Sequence, residues 1–218
     1  MKMLALEFSS PRRSVAVLNA GGTCVCEVGE ALPGNTMKPF AMIESVLQQA
    51  GIKREQIEGI AVGLGPGSYN GIRAAIALAQ GWQLARGVKL TGLGSAECVA
   101  AQAQADGLTG RCGVVIDAQR GEFYLAGYEI HDGLAREVSP LRIVSADMVR
   151  DSERAGDILI GPEVTRWFPH GRIVFPTAAA LMQLAPGREE FIPGEKLEPI
   201  YLRETAFVKA PPPRVISL

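Results

Sequence analysis

The chain opens with short apolar runs and then changes to apolar residues recurring every three or four positions. Met3–Phe8 (MLALEF) is a nearly continuous apolar run of strand length, and Arg13–Ala20 (RSVAVLNA) alternates beside it. Gly21-Gly22 supplies a turn into a third run, Thr23–Glu30, so three short antiparallel strands are expected in succession. The spacing of Phe40, Ile43, Leu47 and Ala50 predicts a helix over Lys38–Ala50, with Thr36 as N-cap, Pro39 in the first turn and Gly51 as its stop. A strand at Ile57–Leu64, expected parallel to the first, leads through a glycine-rich turn into a helix at Gly71–Arg86, ended by Gly87. Val88–Leu93 reads as a strand and Gly94–Ala105 as a third helix.

After a polar, glycine-bearing stretch at Ala105–Arg111 the order of elements loosely repeats. Three strand-like runs (Cys112–Asp117, Glu122–Ile130, Leu134–Val144) precede a helix at Ala146–Arg154, a strand at Asp157–Ile160 and a helix at Ala178–Leu184. The pattern predicts an α/β protein of two small duplicated domains, each a mixed sheet that opens with a three-stranded antiparallel meander flanked by helices. Beyond Tyr201 the run Pro211-Pro212-Pro213 cannot continue a helix, and a loose tail is expected.

The turn Gly63-Leu64-Gly65-Pro66-Gly67-Ser68-Tyr69-Asn70-Gly71-Ile72-Arg73 carries the most information. A dinucleotide-binding turn wants G-x-G-x-x-G, and from Gly65 and Gly67 the third glycine would fall at Asn70. A Walker A loop wants a lysine after its last glycine, and Ile72 follows Gly71. The turn therefore fits neither phosphate motif. As plain structure it lets the next helix lie close to the sheet, with Ser68 as a turn or cap residue. That helix is apolar nearly all round: Ile72, Ala74, Ala75, Ile76, Ala77, Leu78, Ala79, Trp82, Leu84 and Ala85 leave few polar positions. Such a helix is covered on more than one side, either by the chain's own first helix or by another chain. Gly81 and the alanines permit close helix approach.

Length and charge narrow the function. The 218 residues fit one compact domain or two small ones, with enough apolar residues for a real core. Lys+Arg total 22 against Asp+Glu 23, a net charge of −1, so no global basic field attracts nucleic acid or anionic lipid. Cys24, Cys26, Cys98 and Cys112 form no C-x-x-C pair and read as reduced structural thiols. Met1–Ser10 is no signal peptide, because Glu7 interrupts a short apolar run, and no stretch is long enough to span a membrane. A cytoplasmic protein is expected.

Four landmarks then resemble a known family. Gly65–Arg73 reads G-P-G-S-Y-N-G-I-R, close to G-P-G-S-[FY]-T-G-[LI]-R of the TsaB (YeaZ) family; Leu4–Ser10 (LALEFSS), Asp117–Tyr124 (DAQRGEFY) and Pro199–Arg203 (PIYLR) follow the family's order and cover nearly the whole chain. The resemblance implies two actin-like (ASKHA, ribonuclease H-like) domains, 1–107 and 108–205, before a tail at 206–218. It implies a scaffold without independent catalysis that binds a TsaD-like enzyme forming threonylcarbamoyladenosine on tRNA. The matching surface here would be Lys38–Ala50 and Gly71–Arg86, with Phe40, Ile43, Leu47, Gly71, Ala74, Ala77, Leu78 and Gly81 at a partner or dimer interface. ATP and a metal are expected on the TsaD-like subunit, a TsaE-like ATPase joins the complex, and tRNA is met only through it. Glu7 stands where the family commonly has Asp, Asn35-Thr36 where it has His-Ser, and Asn70 where it has Thr.

An actin-like ATPase needs two phosphate loops, each an Asp followed closely by Gly, so that backbone N–H groups reach phosphate oxygens. Glu7-Phe8-Ser9-Ser10 and Asp117-Ala118-Gln119-Arg120 occupy those places and neither has the glycine. These read as degenerate phosphate loops, with no intrinsic cofactor expected. His131 and His170 are the only histidines, far apart and beside turn residues, so no H-x-x-x-H metal pair exists. No G-x-S-x-G elbow is present either. Three readings remain: a scaffold, a small actin-like ATPase or kinase acting alone, and a direct tRNA-binding module using Arg12, Arg13 and Arg203. An uncovered apolar helix face further predicts a homodimer when the chain is alone.

Overall fold

The structure, a computed structural model, describes residues 1–18, 24–30, 38–131, 133–188 and 191–203. The expected cap Thr36, the departure at Asn35 and the tail 206–218 lie outside the described residues.

The chain forms strands β1 (Met3–Glu7), β2 (Arg12–Leu18) and β3 (Cys24–Glu30), helix α1 (Pro39–Ala50), β4 (Gly59–Gly63), α2 (Tyr69–Arg86), β5 (Lys89–Leu93) and α3 (Ser95–Ala105). It continues through β6 (Gly110–Asp117), β7 (Glu122–His131), β8 (Leu134–Ser145), α4 (Ala146–Arg154), β9 (Ile158–Gly161), β10 (Arg172–Ile173) and α5 (Ala178–Leu184). Two five-stranded sheets result, ordered β3-β2-β1-β4-β5 and β10-β9-β6-β7-β8. In both, the first three strands pair antiparallel and the last two join the first in parallel. Read from the third strand inward the two orders are the same, so the duplication is one of topology.

The copies differ where function could follow. Between β4 and β5 stands the 18-residue α2, whereas between β9 and β10 the chain makes only a three-residue 3-10 turn at Val164–Arg166. The first half alone therefore presents two long helices, α1 and α2, on the outer face of its sheet.

β1 is buried on both faces. Leu4, Leu6 and Phe8 point to the α1–α2 layer, while Met3 and Ala5 point to the opposite layer with Ala16 and Ala61. Those small side chains let α5 approach through Ala178, Ala180 and Leu181. α3 in turn lays Ala96, Val99, Ala100 and Ala103 on Val114, Ile116 and Ala126 of the second sheet. Each half thus ends in a helix that covers the other half's sheet, and α3 and α5 pack against one another between the sheets.

Caps fix the ends of the helices that matter. Pro39 occupies the first turn of α1 behind Lys38, and Gly51 closes it in the left-handed region at φ 67°. Ser68 caps α2 by accepting from the Gly71 N–H, and Gly87 (φ 68°) ends it. Among the described residues no helix is long and apolar enough to cross a membrane.

Candidate functional site: an open helix face beside a closed cleft

β1, the glycine turn and α2 meet at one corner. Ser68 donates its N–H to the Ser9 carbonyl at 2.6 Å, and Ser95 donates its hydroxyl to the Ser9 hydroxyl at 2.7 Å. A Cβ on Gly67 would fall 2.1 Å from the Ser9 oxygen, and one on Gly71 1.9 Å from the Phe8 oxygen. Both glycines exist so that the turn and the first turn of α2 can lie against the backbone following β1. Gly65 and Pro66 are buried under this contact and Arg73 is exposed on the next turn of α2.

The two degenerate phosphate loops face a cleft of about 490 Å³ lined by Ser9, Ser10, Arg13, Asp117, Gln119 and Trp167 among others. Ser9 and Asp117 come together there. Glu7 does not: it lies behind the loop, fully buried, with its Oε2 against the Gly63 backbone. Arg120 is exposed at a hairpin tip, in the left-handed region (φ 60°) beside Gln119 (φ 65°). Burial pushes the Glu7 carboxyl above its ordinary value, and the hydroxyl and N–H of Ser9 offset this only in part.

Each loop bonds a backbone donor internally. The Ser9 N–H is donated to Glu7 Oε1 at 2.7 Å, and the Gln119 N–H to Asp117 Oδ1 at 2.8 Å. Each loop uses its own carboxylate to occupy the donor that a nucleotide-binding loop aims at phosphate. Gly67 and Ser68 pack on Ser9 at the edge of the same cleft. Among the described residues, no three of His, Cys, Asp and Glu gather as metal ligands.

The other feature is a groove of about 420 Å³ between α1 and α2. It is lined by Phe40, Ile43, Ala77, Leu78, Gly81 and Trp82, and rimmed by Arg54, which pairs with Glu44. Phe40 is 68% exposed at one edge and Leu84 89% exposed beyond the other. Ala77 and Gly81 face outward, and Ala74 is half-buried. Two expected interface residues are corrected. Leu47, at 3% exposure, belongs to the core face of α1 with Met42 and Val46, and Ile43, equally buried, meets the groove only at its floor. Gly71 faces the Phe8 carbonyl rather than a partner. Trp82 and Ala85, read from the sequence as part of the apolar helix but not as interface residues, also line the groove; their steps of four and seven from Leu78 put them on its stripe.

The C-terminal landmark closes the corner. The segment from Phe191 runs back along the first sheet: Ile192 donates its N–H to the Leu90 carbonyl, and Gly194 exchanges hydrogen bonds with Gln80 and Gln83 of α2. Ile200 then donates to the Leu64 carbonyl at 2.8 Å, and Tyr201 stacks on Tyr69 with ring centroids 6.0 Å apart. Arg203 reaches the Ala118 carbonyl (3.0 Å) and Glu122 (2.7 Å) on the second hairpin. The four sequence landmarks are thus one contiguous region.

Duplicated sheets in the order 3-2-1-4-5, with two loops facing across a cleft, define an actin-like protein of the ribonuclease H-like type. Comparison with known proteins is more specific. A family model described as TsaD, tRNA N6-adenosine threonylcarbamoyltransferase, matches residues 39–180. The tRNA threonylcarbamoyladenosine biosynthesis protein TsaB of Escherichia coli is 24% identical over 97% of this chain and 99% of its own length. TsaB of Bacillus subtilis is 28% identical over 71% of this chain and 68% of its own. A crystal structure from Pseudomonas aeruginosa, titled as an uncharacterized protein with similarity to peptidase YEAZ, superposes with a TM-score of 0.80 at 26% identity, over 93% of this chain and 99% of that one. The chain belongs to this family, on its TsaB (YeaZ) branch.

Proposed function

We propose that this chain is a non-catalytic scaffold subunit in the biosynthesis of threonylcarbamoyladenosine on tRNA. Its role is to bind and support a TsaD-like enzyme through α1 and α2. The observation that carries the reading is the groove between those helices: Phe40, Ala77, Leu78, Gly81 and Trp82 form an apolar surface with small residues at its centre, over a floor to which the core residue Ile43 contributes. Small residues there let a partner helix come close, and Phe40 and Leu84 stand out as anchors. The names of the relatives supply the pathway. ATP and metal belong to the TsaD-like partner, a TsaE-like ATPase completes the complex, and tRNA is met through the assembly. Alone, the chain pairs with a second copy through the same face.

The competing reading, a small actin-like ATPase, has the fold in its favour. It is opposed by the loops, whose Ser9 and Gln119 N–H groups are already bonded to Glu7 and Asp117. An omission experiment separates the two: ATP, bicarbonate, threonine, unmodified tRNA and the remaining subunits from the same source, with and without this chain. The scaffold reading predicts that modification requires the chain while the chain alone turns over no ATP. Full modification without it, or ATP turnover by it alone, refutes the reading.

A further inference from the structure

Arg73 has no part in the groove, yet it stands on the same stripe of α2. Tyr69, Arg73, Ala77, Gly81 and Leu84 follow one another by four, four, four and three residues, and all are exposed. The stripe spans most of an 18-residue helix, roughly 27 Å at 1.5 Å per residue. Its outer end passes the groove, and its N-terminal end reaches the mouth of the cleft. There Tyr201 lies stacked on Tyr69. Tyr69, Tyr201 and Leu202 are 54%, 46% and 43% exposed.

This corner is held in place, not loosely draped. Tyr201 follows the Ile200–Leu64 hydrogen bond and precedes the Arg203 contacts to Ala118 and Glu122. The Arg73 guanidinium lies over the Tyr69 ring, 5.0 Å from its centroid, and donates to the Tyr69 hydroxyl at 2.6 Å. Among the described residues no carboxylate pairs with it. A positive charge is therefore held over one exposed aromatic ring, Tyr69, which is itself stacked on a second, Tyr201, and no carboxylate among the described residues neutralises it.

We propose that Tyr69, Arg73 and Tyr201 form a second docking corner for the protein that occupies the α1–α2 groove, and that Arg73 receives a carboxylate from an acidic segment of it. The inference rests on the scaffold reading and extends its surface from α2 onto the C-terminal strap. One partner would then contact residues from both halves of the chain, and would touch the strap that Arg203 ties to the second hairpin. The apolar continuity of the stripe favours a protein carboxylate over an RNA phosphate at Arg73.

The test measures affinity of the full chain for the TsaD-like subunit by calorimetry at low and high salt, with folding checked by circular dichroism. Arg73→Glu is expected to weaken binding at least tenfold at low salt and to remove most of its salt dependence, while Arg73→Lys stays within a few-fold. Tyr201→Ala is expected to weaken binding several-fold at both salts. Ala77→Arg reports on the groove itself. If Ala77→Arg abolishes binding while Arg73→Glu and Tyr201→Ala remain within twofold of the parent, the corner is overturned and the scaffold reading survives. If none of the three changes binding, the scaffold reading fails at α2 and the corner fails with it. Loss of salt-dependent tRNA binding in Arg73→Glu, with partner affinity unchanged, would assign the corner to RNA and overturn the proposal.

Discussion

Gly71 and Gly81 lie on the same helix, ten residues apart, and should answer the same substitution in opposite directions. A Cβ on Gly71 would sit 1.9 Å from the Phe8 carbonyl oxygen and 3.0 Å from its carbon. An ordinary carbon–oxygen contact is about 3.3 Å, so α2 or the end of β1 must move by more than about 1 Å. The obstacle is backbone, which cannot rotate aside, so the cost belongs at the upper end of overpacking, about 3 kcal/mol. Alanine returns about 1 kcal/mol of helix propensity. Gly71→Ala should therefore destabilise by about 2 kcal/mol. Around Gly81 nothing lies within 4 Å of the added carbon, and only the gain remains. Gly81→Ala should stabilise by about 1 kcal/mol. For a protein of this size the melting temperature should fall by roughly 4–8 °C in the first variant and rise by roughly 2–4 °C in the second. Urea and thermal unfolding followed by circular dichroism measure both. Equal stabilities for the two variants would refute the claim that the glycine turn is there for close approach to β1.

Two further expectations follow from buried groups. The Glu7 carboxyl, raised by burial, keeps its proton in the folded chain at pH values where the unfolded chain has lost it. Its stabilising contribution is complete below the ordinary carboxylate pKa near 4.5 and is lost as pH rises through the raised value. The stability of Glu7→Gln relative to the parent should thus increase with pH above about 5, with a slope of at most about 1.4 kcal/mol per pH unit, in urea titrations at several pH values; a flat or falling difference would contradict the burial argument. Of Cys24, Cys98 and Cys112, Cys98 is buried and its thiol is pushed well up by desolvation and then by nearby Glu7, while Cys112 is pushed up to about 12 by desolvation and then Asp157. Iodoacetamide at pH 8 should alkylate exposed Cys24 in the native protein and reach Cys98 and Cys112 only after denaturation, as read by peptide mass spectrometry; native labelling at Cys98 would show that α3 and α5 are not packed as described.

Much of the fold was legible because its punctuation is local. Gly51 and Gly87 stop α1 and α2 as their left-handed conformations require, and the bounds read for α4 and α5 are those found. The two-residue β10 carries too little pattern to be seen. The crossing of α3 and α5 onto each other's sheets was hidden for another reason: periodicity says that a helix has an apolar face but not which sheet meets it. The same limit misplaced Leu47. Phe40, Ile43 and Leu47 share a helical stripe, but the core centre runs through Met42, Ile43, Val46 and Leu47 and leaves Phe40 at the edge. Glu7 shows the limit for single residues. Its position matches a phosphate-loop acid, yet strand alternation points it inward with Met3 and Ala5, and the longer side chain folds onto Ser9 and Gly63. The hydrogen bonds from the Ser9 and Gln119 N–H groups to Glu7 and Asp117 leave no mark in the sequence, because they depend on how each loop turns back on its own carboxylate.

A scaffold that acts through its α1–α2 face must fail when that face is blocked. Ala77 is exposed in the groove, so Ala77→Arg should leave the fold intact while placing a guanidinium where the partner must come close. The most direct measurement is tRNA threonylcarbamoyladenosine formation in the complete mixture, with the parent chain replaced by this variant at equal concentration. The variant should melt within about 2 °C of the parent, as expected of an exposed substitution, and support no more modification than the mixture lacking the chain. A folded variant that supports modification at the parent rate would contradict the scaffold reading.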